Sequence, residues 1–303
     1  MTAQPYVPLP MDRCTAELRR EAARFAEAAR DLPLTEPVPT CPGWTLGDLV
    51  RHLRQGHEWA TTILATRSTG LVLPGGDLAE ADSAGDGDGE GAGDGTSWTE
   101  RVAGLGVRET DAVDGRLRDP GSRAEFVLEG AGRLAEAIGG IGAEVPVWAP
   151  HGKQNKEFWP RWAMFETAVH RADVDLLAGR PFEPAADVAL DCVDFCLMAF
   201  GVPEARPFLS PLFAEVPSGG ETLSFRPAAG AAGRISNWLV TCAPDGVRVT
   251  RDAPDGAPAD VTVVASPADL LLVVKGRLRP RSPRVTVSGD RDLLDFWLSH
   301  AVS

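Results

Sequence analysis

The chain has 303 residues, 44% of them hydrophobic and 24% charged, with a formal net charge of −13. That length and balance suit a globular protein of about two domains rather than a disordered or fibrous chain. The acidic surplus, with no basic stripe interleaved with aromatics, disfavours nucleic acid as a partner, because phosphates attract clustered Lys and Arg.

The opening "MTAQPYVPLPMDRC" has no basic start followed by an apolar run, so no secretory signal is expected there. No run of about 18 apolar residues marks a membrane span. Cys14, Cys41, Cys192, Cys196 and Cys242 are an odd, scattered set, which reads as reduced thiols in a cytoplasmic protein.

A first helix is expected over Asp12–Arg30, where Leu18, Ala22, Phe25, Ala26 and Ala29 form a stripe of helical period. The Pro-rich stretch "LPLTEPVPTCPGW" interrupts it. Thr45 then offers an N-cap, Asp48 lies three residues on, and Trp44 and Leu49 suit a hydrophobic staple. The second helix runs through "LGDLVRHLRQGHEWATTILAT" with Leu49, Leu53 and Ile63 on its apolar face.

The segment Gly75–Ser97 holds seven acids and no Lys or Arg; taking those seven from −13 leaves −6 for the rest of the chain. It offers no apolar face and is expected to be a mobile acidic insertion. Asp86, Asp88, Glu90 and Gly91 mimic a calcium loop, but Ser97 stands where the loop needs a bidentate Glu, so that reading is rejected. A third helix is expected over Arg123–Ile138 and a fourth over Phe158–Leu177, ended by Ala178-Gly179. Four helices with connections of varied length predict a bundle.

Past a further helical stretch, Pro184–Phe200, the pattern changes. Val247, Val249, Val261, Val263, Val285 and Val287 recur with period two, the mark of strands, and Ala243–Gly246 reads as a hairpin turn. Helical pieces over Pro267–Val274 and Asp290–Ser299 interleave with them. The expected fold class is α+β in two domains: a four-helix bundle over 1–180 and a small α+β domain over 181–303.

Within the fourth helix, Glu166 and His170 stand four residues apart and so share one face. Two such side chains can hold one metal ion, and a facing helix of a bundle can add a third ligand. His52, between Leu49 and Leu53 on the second helix, is the candidate, giving a His, Glu, His set that suits zinc with an open fourth position. Spacing alone favours the plainer readings: a Glu-x-x-x-His pair is more often hydrogen-bonded or exposed, and a lone His52 more often a satisfied core histidine.

The motifs "CPGWTLGDLVRHL" (Cys41–Leu53), "PVWAPHG" (Pro146–Gly152) and "FWPRWAMFETAVHRADVDLLAG" (Phe158–Gly179) resemble the mycothiol-dependent maleylpyruvate isomerase family. "ADLLLVVKGR" and "VTVSGDRDLLDFWL" resemble that family's C-terminal domain. The resemblance implies a DinB-like metal-binding bundle followed by a sterol-carrier-like domain. It implies that His52, Glu166 and His170 are ligands of a divalent metal, typically Zn2+. Phe165 departs from the pattern, since many relatives carry His before the Glu. Arg277, in "LLVVKGRL", matches an Arg often found in the C-terminal domain and is the candidate catalytic residue, suited to a substrate carboxylate, with a plain surface Arg as the alternative. Asp173, one turn after His170, is either an orienting partner for that imidazole or a solvated or Arg171-paired acid. Cys192 and Cys196 are expected to pack as apolar side chains, and Trp159, Trp162 and Phe165 to belong to the bundle core.

The same resemblance implies mycothiol as the thiol cofactor or co-substrate and a small electrophile as substrate. A free thiol is mostly protonated at neutral pH, and a metal makes it a thiolate. Addition to a conjugated double bond, rotation and expulsion would give isomerisation; addition without expulsion would give an S-transferase. The expected function is therefore a metal-dependent, mycothiol-dependent isomerase or S-transferase, as a monomer or homodimer without nucleic-acid or membrane partners. The alternatives are a zinc-dependent hydrolase and a non-catalytic small-ligand-binding protein.

Overall fold

The computed structural model describes residues 6–70, 111–142, 145–150, 157–228, 237–253 and 257–301. The acidic insertion Gly75–Ser97 and His151 lie outside the described residues. The chain divides into two compact units, one of Met11–Pro181 and one joining Met1–Pro10 to Phe182–Ser303. No described helix is long and apolar enough to cross a membrane.

The first unit is helical: α1 Met11–Ala29, α2 Leu46–Thr66, a short α3 Asp111–Arg118, α4 Pro120–Gly140 and α5 Phe158–Leu177. The four long helices form a ring in which α1 touches α4 and α5, and α2 touches the same two. Each turns an apolar stripe inward. Leu18, Ala22 and Phe25 of α1 meet Leu49, Leu53 and Ile63 of α2, Leu134 and Ile138 of α4, and Trp159 and Ala163 of α5 in one core.

Local chemistry sets the ends. Thr45 caps α2 in a full capping box with Asp48, its hydroxyl taking the Asp48 N–H while the Asp48 carboxylate takes the Thr45 N–H at 2.9 Å. Asp119 caps α4, with Pro120 at its first position, where the missing N–H costs nothing. At the far end of α1, the buried Arg123 guanidinium donates to the carbonyls of Ala29 and Leu32, each at 2.8 Å. These are the acceptors a helix C-terminus leaves unsatisfied.

Two close approaches draw α2 against its neighbours. A Cβ on Gly130 of α4 would stand 2.7 Å from Arg54 Cδ and 3.3 Å from His57 Nδ1, so only glycine admits both side chains. A Cβ on Gly56 would lie 3.2 Å from the Trp162 ring of α5. Trp59, Trp159 and Trp162 meet edge to face near this point, with centroids 5.2–5.7 Å apart. Trp148 joins them, its backbone N–H bonded to Ser68 O and its carbonyl accepting from Trp159 Nε1.

The second unit begins with α6 Ala186–Phe200 and two short 3-10 turns, Pro203–Phe208 and Pro211–Glu215. Five strands follow, with two helices interleaved: β1 Thr222–Pro227, β2 Trp238–Ala243, β3 Gly246–Arg251, β4 Val261–Ala265, α7 Pro267–Val274, β5 Val285–Gly289 and α8 Arg291–Ala301. The sheet order is β3-β2-β1-β4-β5, antiparallel except for the parallel β1–β4 pair at its centre. The β2–β3 hairpin turns through Pro244-Asp245 into Gly246, whose φ of +125° favours glycine. Val261 and Val263 of β4 point inward with Phe225, Trp238, Leu270 and Trp297, all fully buried.

Residues 6–10 belong with this second unit rather than with the bundle. The reason is a pair of buried acids on α6. Asp191 accepts from Tyr6 Oη at 2.5 Å and Leu9 N at 2.9 Å, while Asp194 holds Arg251, whose guanidinium covers the Tyr6 ring at 5.1 Å.

Candidate metal centre

α2 and α5 bring His52 and Glu166 together. His52 Nε2 lies 3.1 Å from Glu166 Oε1, and His170 Nε2 lies 3.2 Å from the same oxygen. The one-turn spacing on α5 sets the Glu166–His170 pair. The Gly56–Trp162 approach holds the two helices together one turn away, since Gly56 follows His52 by four residues and Trp162 precedes Glu166 by four. The three donor atoms all fall within 4.8 Å of one another. The side chains of His52 and Glu166 are 13% and 20% exposed, so the cluster is reachable from solvent.

Each imidazole is steered differently. His170 Nδ1 bonds Asp173 Oδ2 at 2.9 Å, and Asp173 is fully buried. That bond fixes the ring's orientation through its Nδ1 proton and turns the Nε2 edge toward Glu166 and His52. Of the two roles open to Asp173 in the sequence, the structure gives it the orienting one; Arg171 turns instead to Asp175 and to Glu21 of α1, at 2.9 and 2.5 Å. His52 is steered by packing: the Trp44 ring meets its edge at 4.8 Å and lies near-parallel to His170 at 6.5 Å. His52 Nδ1 has no hydrogen-bond partner among the described residues.

The electrostatics follow from burial against these bonds. Burial lowers the pKa of His52 and favours its neutral form, the form a metal ligand needs. Burial disfavours the Glu166 carboxylate, but the hydrogen bonds from His170 and His52 outweigh it and hold the pKa well below the usual range. Burial likewise opposes charge on His170, while the Asp173 bond, with help from Cys41 and Glu166, lifts its pKa well above the ordinary value. The donor set of two imidazoles and one carboxylate, with an imidazole oriented by a second carboxylate, fits a divalent metal such as zinc.

His57 and Cys41 carry no assigned role in the sequence reading, yet both lie close by. His57 is fully buried on α2, and its Nε2 bonds Thr167 Oγ1 at 2.9 Å. The Thr167 hydroxyl already donates to Ala163 O, so His57 Nε2 is the donor and the ring is neutral. Burial pushes its pKa down to about 3. Cys41 Sγ donates to Asp173 Oδ2 at 3.4 Å. Neither contact is visible in spacing, since both cross between distant segments.

The remaining sequence candidates sit elsewhere. Arg277 is half-buried in the second unit just after α7, its NH1 donating to Lys275 O at 2.6 Å. Cys192 and Cys196 are buried on α6, and burial raises the Cys196 pKa, as for a packed thiol. Trp159 and Phe165 are buried, whereas Trp162 is half-buried.

The first unit thus gathers His, Glu and His from two facing helices, and the second is an α+β unit with a mixed five-stranded sheet. Residues 15–175 match the family described as "Mycothiol maleylpyruvate isomerase N-terminal domain", and the chain belongs to that family. Two solved structures share its fold. One is titled "Crystal structure of the mycothiol-dependent maleylpyruvate isomerase": it has 15% identity over 92% of this chain and 93% of that one, with a TM-score of 0.53. The other is a histidine-to-alanine mutant of such an enzyme, with 14% identity, the same coverage and a TM-score of 0.53. At such identity the likeness is one of fold. A search among curated proteins gives no match.

Proposed function

We propose that this protein is a metal- and mycothiol-dependent enzyme that isomerises, or transfers the thiol to, a small electrophile of the maleylpyruvate type. The observation that carries the reading is the convergence of His52 Nε2, Glu166 Oε1 and His170 Nε2 within 4.8 Å on two facing helices. Membership of the family and the shared fold of the isomerase structures support it.

His52, Glu166 and His170 would hold the metal, and Asp173 would fix the His170 tautomer. A divalent metal so held supplies Lewis acidity that lowers the pKa of a thiol, whose reference value is about 8.5. Glu166 brings a full negative charge at neutral pH, because the bonds from the two imidazoles keep it ionised against burial. Neutral His52 brings none, and His170 would hold an ion as the neutral imidazole with its Nδ1 proton on Asp173, so the three ligands would contribute one negative charge and leave a divalent site electrophilic toward an anionic thiol. Trp44 covers one side of both imidazoles and limits their contact with water.

In the reaction itself, the thiol sulfur forms a bond to one carbon of a conjugated double bond, and the electron pair moves onto the neighbouring carbonyl. Rotation about the resulting single bond and expulsion of the sulfur restore the double bond in the other geometry. Arg277 is the proposed partner of an anionic group on the substrate, acting through charge-assisted hydrogen bonds.

The test is metal analysis of the purified protein, followed by turnover assays of maleylpyruvate-type substrates with and without mycothiol. Turnover that requires both metal and thiol supports the reading. Turnover by water alone would move the protein to the hydrolases, and stoichiometric ligand binding without turnover would make it a binding protein.

A further inference from the structure

The loop that joins α1 to α2 is closed on itself. Pro37 and Thr45 form an antiparallel bridge, Val38 N donates to Trp44 O at 2.9 Å, and Cys41 N and Trp44 N donate to Val38 O and Cys41 O at 3.0 Å each. Gly43, at φ +83°, makes the reversal. The turn projects two side chains at the centre. Trp44 packs on both imidazoles, and Cys41 reaches the buried carboxylate of Asp173.

One oxygen of that carboxylate carries two bonds. Asp173 Oδ2 accepts from His170 Nδ1 at 2.9 Å and from Cys41 Sγ at 3.4 Å. A buried carboxylate needs its donors, and a thiol anchored in a closed turn restrains its rotation more than one bond from a mobile ring would. The Cys41 contact lies on the Nδ1 side of His170, while Glu166 and His52 gather at Nε2. Cys41 therefore meets Asp173 and the Nδ1 side of His170, away from the Nε2 edge where the ligand cluster gathers.

We propose that Cys41 is a positioning residue for the metal centre: its thiol holds Asp173, and Asp173 holds His170 with Nε2 aimed at the ion. The inference rests on the metal reading above. It also competes with a second arrangement among the described residues, in which Cys41, His170 and Asp173, whose donor atoms likewise fall within 4.8 Å, would themselves seat an ion through His170 Nδ1. A support and a ligand make different predictions for the sulfur.

The experiment titrates the unaltered protein and its variants with Co2+ and Zn2+ against a chromophoric chelator and records the Co2+ absorption spectrum. Asp173→Asn is expected to weaken binding by about 10–100-fold. Cys41→Ala and the better-filling Cys41→Val are expected to weaken it by about tenfold, and Cys41→Ser, which keeps a donor, to recover most of the loss. Because Cys41 acts through Asp173, Cys41→Ala added to Asp173→Asn should cost little more than Asp173→Asn alone. The Co2+ spectrum of the unaltered protein should lack the intense thiolate-to-cobalt band.

Donor-free Cys41 variants that bind metal as tightly as the unaltered protein would overturn the proposal. So would fully additive losses in the double variant, or a thiolate band that disappears with Cys41. An unaltered protein that binds neither metal would instead remove the metal reading, and this inference with it.

Discussion

His52 Nε2 stands 3.1 Å from Glu166 Oε1 although 114 positions separate the two residues in the chain. His170, four residues after Glu166, closes the set at 3.2 Å. Replacing any one by alanine leaves two donors where a catalytic site normally offers three. His52→Ala, Glu166→Ala and His170→Ala are each expected to lose stoichiometric metal while keeping the helical circular dichroism of the bundle. Metal analysis after dialysis checks this, and a variant that keeps one tightly bound ion strikes its residue from the set.

Arg171 ties α5 to α1. It is 4% exposed, meets the fully buried Glu21 at 2.5 Å and Asp175 at 2.9 Å, and has no apolar substitute that answers both acids. Burial already raises the pKa of Glu21, with Arg171 the main opposing influence. Arg171→Met leaves the buried Glu21 charge to the half-exposed Arg24, 3.2 Å from its Oε1, and is expected to destabilise the protein by up to about 3–5 kcal/mol. Urea unfolding measures it; a loss under about 1 kcal/mol would show that water reaches Glu21. The double change Glu21→Gln with Arg171→Met should recover much of the loss.

His57 makes stability fall in mild acid. Its folded pKa of about 3 lies below the ordinary imidazole value of 6.5, so the unfolded chain binds the extra proton first. The stabilisation is complete above pH 6.5 and is lost as pH falls from there toward 3, by up to about 1.4 kcal/mol per pH unit. His57→Gln, which can still donate to Thr167, should flatten this part of the profile. Urea midpoints of the metal-free protein between pH 5 and 6.5, where few carboxylates titrate, give the comparison. Parallel profiles for the two proteins would mean that His57 is protonated in the fold.

Arg277 lies in the second unit, apart from any ligand role, with one guanidinium nitrogen on the Lys275 carbonyl. If it holds an anionic substrate group, Arg277→Ala removes charge-assisted bonds worth about 1.5–3 kcal/mol. The variant is expected to keep its metal and fold and to lose roughly tenfold or more in kcat/KM. Unchanged kinetics would place substrate recognition elsewhere.

Much of the architecture is legible in local pattern. The Thr45–Asp48 capping box, the apolar stripes of α1 and α2 and the alternating valines of β3, β4 and β5 are all short-range signals. Helix and strand periods repeat within a few residues, and caps act on the nearest N–H groups. The Glu166–His170 spacing is legible for the same reason, since four residues make one turn. The pairing of β1 with β4 is not: Leu223 meets Val261 across 38 positions, and nothing local in either segment selects the other.

The sequence by itself determined the elements, their caps and the presence of His52, Glu166 and His170 on helical segments, because each depends on neighbours within about one turn. Tertiary structure alone decided which nitrogen faces which oxygen. It turned Asp173 to His170 and Arg171 to Glu21, where the sequence leaves Asp173 open to His170, to Arg171 or to solvent. It also placed the Cys41 thiol on Asp173, 132 positions away. The physical reason is burial: once α1, α2 and α5 close over these groups, each buried charge must find a donor within about 3 Å, and only the packed helices fix which donors lie in reach.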